Sequence, residues 1–262
     1  MILLTNDDGY NSPGLRALAA RLSSVSECLV VTPRYEQSGV SYSLNVNRPL
    51  RAEQAIVAGV PAVVVDGSPV DCVKLAIFEL MSEPPELVVS GINIGVNLGS
   101  DIFYSGTVGG ALEAALNGLP SMAVSTVPDT GRSQLDSAAE VAVQLISSMN
   151  NLFRERSGQP LVLNVNVPVV DVKIDPPIAV SPAGPSRFKG MYEKRLDPRK
   201  GEYYWLGAAE AEPRCIPEGC DIDLFRRGFV TITPLLFNMT DSSLLDTLRN
   251  ALPARFSALD GE

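Results

Sequence analysis

The chain predicts an α/β protein built on a doubly wound, mostly parallel sheet, and three observations carry that reading. Short apolar runs of strand length alternate with stretches of helical period along the first two-thirds of the 262 residues, which is the order of repeated βαβ units. Those runs are uninterrupted rather than alternating, as in strands covered on both faces. The connections are short, so successive parallel strands lie side by side through right-handed crossovers. Composition permits such a core: 45% of residues are hydrophobic and 19% charged, far from the balance of a disordered chain. The whole pattern is Rossmann-like.

The elements follow in order. "ILLT" (2–5) opens the sheet. Ser12 and Pro13 read as an N-cap and first helical residue leading into "GLRALAARL". "CLVVTP" (28–33) is the second strand, and "AVVVDG" (62–67) the third, ended by Gly67. A helix over about 70–81 starts after Ser68-Pro69. "ELVVSG" (86–91) is the fourth strand, followed by a long glycine-rich loop. Then come the helix "VGGALEAALNG" (108–118), the strand "SMAVST" (121–126) and a helix over 134–149. "LVLNVNVP" (161–168) alternates as an edge strand does. The stretch 182–220 is rich in proline, glycine and charge around the aromatic run "YYW" (203–205), and reads as an extended β-hairpin arm whose Arg187, Lys189, Lys194 and Arg195 form a solvated charged face. "FVTITPL" (229–235) returns as a strand, and 241–256 is an amphipathic helix with Leu244, Leu245, Leu248 and Leu252 at helical spacing. Residues 1–181 are expected to form the core, and 182–262 a hairpin arm, returning strand and C-terminal helix in one continuous domain with it.

Charge and residue usage then narrow the chemistry. A net charge of −9 argues against a nucleic-acid duplex or an anionic membrane as partner. No window approaches about 18 uncharged apolar residues, and the N-terminus reads as a strand rather than a signal segment, so a cytoplasmic protein is expected. Cys28, Cys72, Cys215 and Cys220 are too scattered for a disulfide framework. The one close pair, in "CIPEGC", does not by itself complete a tetrahedral metal site. Histidine is absent altogether, which removes Ser-His-Asp and Cys-His nucleophiles and zinc–histidine centres. A general base or metal ligand must then come from carboxylates, amides, hydroxyls or backbone, and oxygen ligands favour magnesium, manganese or calcium.

Three loops fall at the carboxyl ends of strands, where open α/β sheets bind ligands. The first carries Asn6, Asp7, Asp8 and Gly9. Adjacent carboxylates repel unless a cation or a shared proton lies between them, which leaves a metal site, a proton-sharing dyad or a solvated turn. The second, "RYEQSGVSYS" (34–43), offers Ser38, Gly39 and, as an anion partner, Arg34. The third, "SGINIGVNLGSDIFYSGTVGG" (90–110), spaces Gly91, Gly95 and Gly99 four apart, with Asn93 and Asn97 between them. Its Ser105-Gly106-Thr107 segment enters a helix, where small hydroxyls and free amides hold a phosphate. It is neither a Walker A sequence nor a G-x-G-x-x-G fingerprint.

With these loops in view, the chain resembles the SurE survival-protein family of divalent-metal-dependent phosphatases acting on nucleoside monophosphates. The matching stretches are "ILLTNDDGYNSPGL", "EQSGVSYS", "DGSPVDCV", "VVSGINIGVNLGSDIFYSGTVGGALEA" and "GFVTITPL". The resemblance implies one divalent cation per subunit, magnesium or manganese (or calcium in a crystal), held by Asp7, Asp8, Ser38 and Asn93. It places Asn6, Gly39, Asn97, Ser105, Gly106 and Thr107 along the substrate phosphate, and Asp7 and Asp8 at the chemistry. It also implies a homodimer or homotetramer in which the arm and a swapped C-terminal helix reach across to a neighbour. Two other classes use similar residues: a non-catalytic nucleotide- or metal-binding protein, and a nucleotide-sugar transferase.

Overall fold

In the computed structural model, which describes residues 1–128, 131–155, 161–169, 176–185, 191–207 and 216–251, the apolar runs become the centre of one sheet. In chain order the elements begin with β1 (Ile2–Thr5), α1 (Pro13–Leu22), β2 (Cys28–Pro33), β3 (Ala52–Val57), β4 (Val60–Val65) and α2 (Pro69–Leu75). They continue with β5 (Leu87–Ile94), α3 (Gly106–Leu116), β6 (Ser121–Thr126), α4 (Arg132–Ser148), α5 (Asn150–Glu155) and β7 (Val162–Val167). The rest are β8 (Ile178–Val180), β9 (Met191–Leu196), β10 (Glu202–Gly207), α6 (Asp221–Arg226), β11 (Val230–Leu235) and α7 (Leu245–Ala251).

The main sheet runs β3-β4-β2-β1-β5-β6-β7-β11-β8. The six strands from β4 to β7 are mutually parallel. β3 lies antiparallel on β4, and β11 antiparallel on β7. Side chains alternate faces along each strand, and here both faces are covered. Leu4, Val30 and Val89 pack with Leu15, Leu18 and Leu22 of α1 and Leu135 and Ala138 of α4. Leu3, Val31 and Val88 point the other way, onto Cys72 and Val73 of α2 and Ala114 of α3. That two-sided burial is why these strands carry no polar alternation. Both serine–proline signals start helices: the Ser12 hydroxyl accepts from the Leu15 amide at 3.4 Å, and Ser68 forms a capping box with Asp71.

From β1 the chain winds outward through β2 to β4, then returns to β5 on the other side of β1 and winds outward again. The β1–β5 junction is therefore the switch point, and the loops leaving the two strands diverge into a crevice.

Several expectations need correction. The predicted edge strand at 161–168 is internal: β7 is buried throughout and paired on both sides, by β6 and β11. Its asparagines face a buried loop, not water. The helix expected over 70–81 is α-helical only to Leu75 and finishes as a wider turn over Ala76–Leu80. β3, which the sequence did not announce, pairs with β4 through a two-residue turn at Ala58 and Gly59 with φ of 50° and 85°. The hairpin expected of the arm is present, as β9 and β10 in a two-stranded antiparallel sheet of their own. Its Lys194 and Arg195 pair with Glu202 and Glu193, whereas Arg187, Lys189 and Cys215 lie outside the described residues. In the C-terminal region α7 spans Leu245–Ala251 with Leu244, Leu245 and Leu248 exposed; Leu252 and the rest of the predicted helix lie outside the described residues.

Candidate active site

The turn after β1 is shaped by its first and last residues. Asn6 is buried; it accepts the Thr32 hydroxyl at 2.6 Å and donates to the Gly9 carbonyl at 3.1 Å. Gly9 has φ +88°, and a Cβ there would lie 2.9 Å from the Tyr35 carbonyl carbon. Only glycine lets this turn rest on the second loop. The Gln37 amide then donates to the Asp7 carbonyl at 2.7 Å, tying the two loops.

Asp7 is buried against the start of α3. Its carboxylate accepts the Thr107 hydroxyl together with the backbone amides of Gly106 and Thr107. A Cβ on Gly106 would come 2.9 Å from the Asp7 Cβ, so the glycine permits the close approach. Burial pushes the Asp7 carboxyl above its ordinary value despite those hydrogen bonds. Asp8 is less enclosed, and its Oδ2 accepts long bonds from the Ser12 hydroxyl at 3.5 Å and the Ile94 amide at 3.4 Å. Burial first, and the neighbouring Asp7 charge second, push the Asp8 carboxyl up to about 6. Two desolvated carboxylates raised together are a donor set that a cation would relieve.

A cleft of about 640 Å³ opens over this pair. It gathers Asp7, Asp8, Ser38, Gly39, Asn93, Asn97 and Ser105 from three loops that are distant in sequence. The polar atoms are already oriented. The register of β5 on β6 shifts between Gly91 and Asn93, a bulge of the kind that re-aims a side chain. The Asn93 amide nitrogen donates to the Gly95 carbonyl, which leaves its oxygen as the available ligand. Ser38 donates its hydroxyl proton to Glu36 at 2.6 Å, which leaves its lone pairs. Asn97 is gripped through its backbone: its amide donates to Asn166 Oδ1 at 2.8 Å, and its carbonyl accepts from Asn164 at 2.8 Å and Asn166 at 3.1 Å. The Ser105 oxygen caps α3, accepting the Val108 amide at 3.1 Å, so its own proton remains to be donated.

Asn6, Gly106 and Thr107 stand behind the cleft rather than lining it. Their bonds and packing serve the turn and Asp7. Arg34, expected as an anion partner, is engaged by Asp66 at 2.5 Å and Glu53 at 3.1 Å. It ties the end of β2 to β3 and the end of β4. The sequence reading also missed Glu36, Asp101, Tyr104, Tyr192 and Leu206, all in the cleft wall, and the bracing pair Asn164 and Asn166. Glu36, two residues before Ser38, and the alternation "NVN" were available signals; no local signal brings the hairpin to the cleft.

Among the described residues no three of His, Cys, Asp and Glu gather closely enough to hold a metal, and the cleft wall holds no lysine or arginine. A cation here would have two carboxylates, a hydroxyl and an amide oxygen. Such hard oxygen donors fit magnesium or manganese.

Fold and crevice define the class: an open α/β protein with an acidic, oxygen-lined cleft at the switch point of its sheet. The chain belongs to the survival protein SurE family, whose family model matches residues 2–189. It is 43% identical to the 5′-nucleotidase SurE of Chloroflexus aggregans, over 95% of this chain and 97% of that protein. It is 41% identical to the 5′-nucleotidase SurE of Methanopyrus kandleri, over 99% of both. The crystal structure of SurE protein from Aquifex aeolicus superimposes with a TM-score of 0.79 at 36% identity, covering 95% of this chain and 98% of that one. Among the described residues no helix is long and apolar enough to cross a membrane.

Proposed function

We propose that the protein hydrolyses nucleoside 5′-monophosphates, with 3′-monophosphates as a second substrate class, to nucleoside and phosphate, using one divalent cation per subunit. The observation that carries this reading is the pair of desolvated carboxylates, Asp7 and Asp8, set beside the start of α3 in a cleft whose other polar atoms are oriented ligands and donors. Relatives across the full length of the chain bear the name 5′-nucleotidase.

A magnesium or manganese ion held by Asp7, Asp8, Ser38 and Asn93 would supply charge neutralisation and Lewis-acid polarisation of a phosphoryl oxygen. The chain's own residues do the rest. The Ser105 hydroxyl donates to a non-bridging phosphate oxygen, and the Asn97 side-chain amide, one of whose protons goes to the Ser125 hydroxyl at 2.8 Å, donates its other proton to another, stabilising charge as it develops. Asp7 is held in place by donors from α3, which fix its carboxylate and leave a lone pair for the cation. Asp8, with an oxygen not committed to Ser12 or Ile94, takes the proton of the attacking water. We also propose a homodimer or homotetramer; the hairpin, which exposes Tyr203, Tyr204 and Trp205, is the surface that supports it.

The test is a panel of AMP, GMP, CMP and UMP with magnesium or manganese, read as phosphate release. Steady release that stops in excess EDTA is expected. Binding of nucleotide without any release with either metal would overturn the hydrolase reading.

A further inference from the structure

The oxygen ligands account for only part of the cleft. The remaining wall is built from Glu36, Asp101, Ile94, Val96, Tyr104, Tyr192 and Leu206. Tyr104 and Tyr192 are 62% and 71% exposed, so their rings are not spent on the core. Their backbones are nonetheless fixed. The Tyr104 amide donates to Asp101 at 3.0 Å, and its carbonyl accepts from Ser41 at 3.1 Å. Tyr192 sits directly opposite Leu206 in the hairpin register, so the two side chains share one face and support each other.

We infer that Tyr104 and Tyr192 form a stacking clamp for the nucleobase of the substrate, with Leu206 backing Tyr192. The inference rests on the phosphomonoesterase reading above. The phosphate belongs with the oxygen ligands. Beside the carboxylates of Glu36 and Asp101, the rest of the wall offers a phosphoester two exposed tyrosine rings and aliphatic side chains, which suit a flat aromatic group. Stacking of a base on an aromatic side chain is worth about 1–3 kcal/mol and is indifferent to base identity, because every base has a π-face. The clamp therefore predicts broad base tolerance, with purines ahead of pyrimidines by their larger stacked area.

The experiment compares kcat/KM for AMP and CMP with that for ribose 5-phosphate, which lacks the base, in manganese-loaded full-length protein. Binding of adenosine alone, without metal, is measured by calorimetry. In the wild type the nucleotides should exceed ribose 5-phosphate by roughly tenfold, about 1.4 kcal/mol. Tyr104→Ala and Tyr192→Ala should each collapse that ratio towards one, chiefly through KM, and weaken adenosine binding, while the phenylalanine variants retain both. Tyr192 lies on the hairpin, away from α3, so its variant separates stacking from any disturbance of Ser105. Equal losses on all substrates in the Tyr192 variant, or a nucleotide advantage that survives both alanines, would overturn the clamp. Adenosine binding that depends on the tyrosines in a protein that releases no phosphate would sink the hydrolase reading and leave the clamp standing. Hydrolysis of AMP no faster than of ribose 5-phosphate would do the reverse.

Discussion

Asp7 and Asp8 are neighbours in sequence but not in circumstance. Asp7 is enclosed by α3 and holds the Thr107 hydroxyl and two helix amides; Asp8 faces the cleft on two long hydrogen bonds. Burial opposes the charged form of both, and the Asp7 charge adds to that at Asp8, so removing one charge should relieve the other. Asp8→Asn is therefore expected to lower kcat by at least about 100-fold, the scale of losing one preorganised electrostatic contact. In metal-free buffer it should melt no lower than the wild type, because a like-charge repulsion has gone. Phosphate release and thermal melts followed by circular dichroism check the two halves separately. A variant that keeps a tenth of the activity would remove Asp8 from the chemistry.

At the scale of elements, α3 is what makes the acidic turn a site, and Gly106 is what lets α3 approach. A methyl group there would press on the Asp7 Cβ at 2.9 Å. Alanine in an open helix position is normally stabilising relative to glycine; at this one it overpacks. Gly106→Ala should cost about 1–3 kcal/mol in urea melts and lower kcat by tenfold or more through displaced Asp7. An unchanged or higher stability would show that the approach is not tight. The same scale shows why some elements were legible in the sequence and others were not. β1, β2 and β5 announce themselves because burial on both faces leaves uninterrupted apolar runs. β3 hides because it is an exposed edge strand carrying Glu53 and Gln54. Its hairpin turn also puts Ala58, not asparagine or glycine, at the first positive φ. β7 misleads because Asn164 and Asn166 look like an outward face while serving as interior clamps on Asn97. That the loops after β1, β2 and β5 would meet in one cleft could be read, since strand order places all three at carboxyl ends. A hydroxyl at a helix start reads the same in sequence whether it meets a substrate or a buried carboxylate, so the bond from Thr107 to Asp7 is not legible there.

For the whole molecule, the switch point brings together residues that the unfolded chain holds far apart: Asp7 and Asp8 at the first loop, Ser38 at the second, Asn93 at the third. A cation that needs all of them binds the folded chain and not the unfolded one, so binding is linked to folding. At a free concentration 100 times Kd the linkage adds about 2.7 kcal/mol, and for a chain of this size that raises the melting temperature by roughly 5–10 °C. The net charge of −9 adds a competing explanation, because divalent ions also screen a net-acidic surface. The two effects part company in the variant and in salt. Specific binding predicts that manganese stabilises the wild type but not Asp8→Asn, and that sodium chloride at matched ionic strength does neither. Screening predicts that both proteins gain alike, since Asp8→Asn removes one charge of thirty acidic residues and leaves the surface field nearly unchanged. Differential scanning fluorimetry of the two proteins with manganese and with sodium chloride decides between them, and a shared shift would mean that the paired carboxylates do not hold a metal.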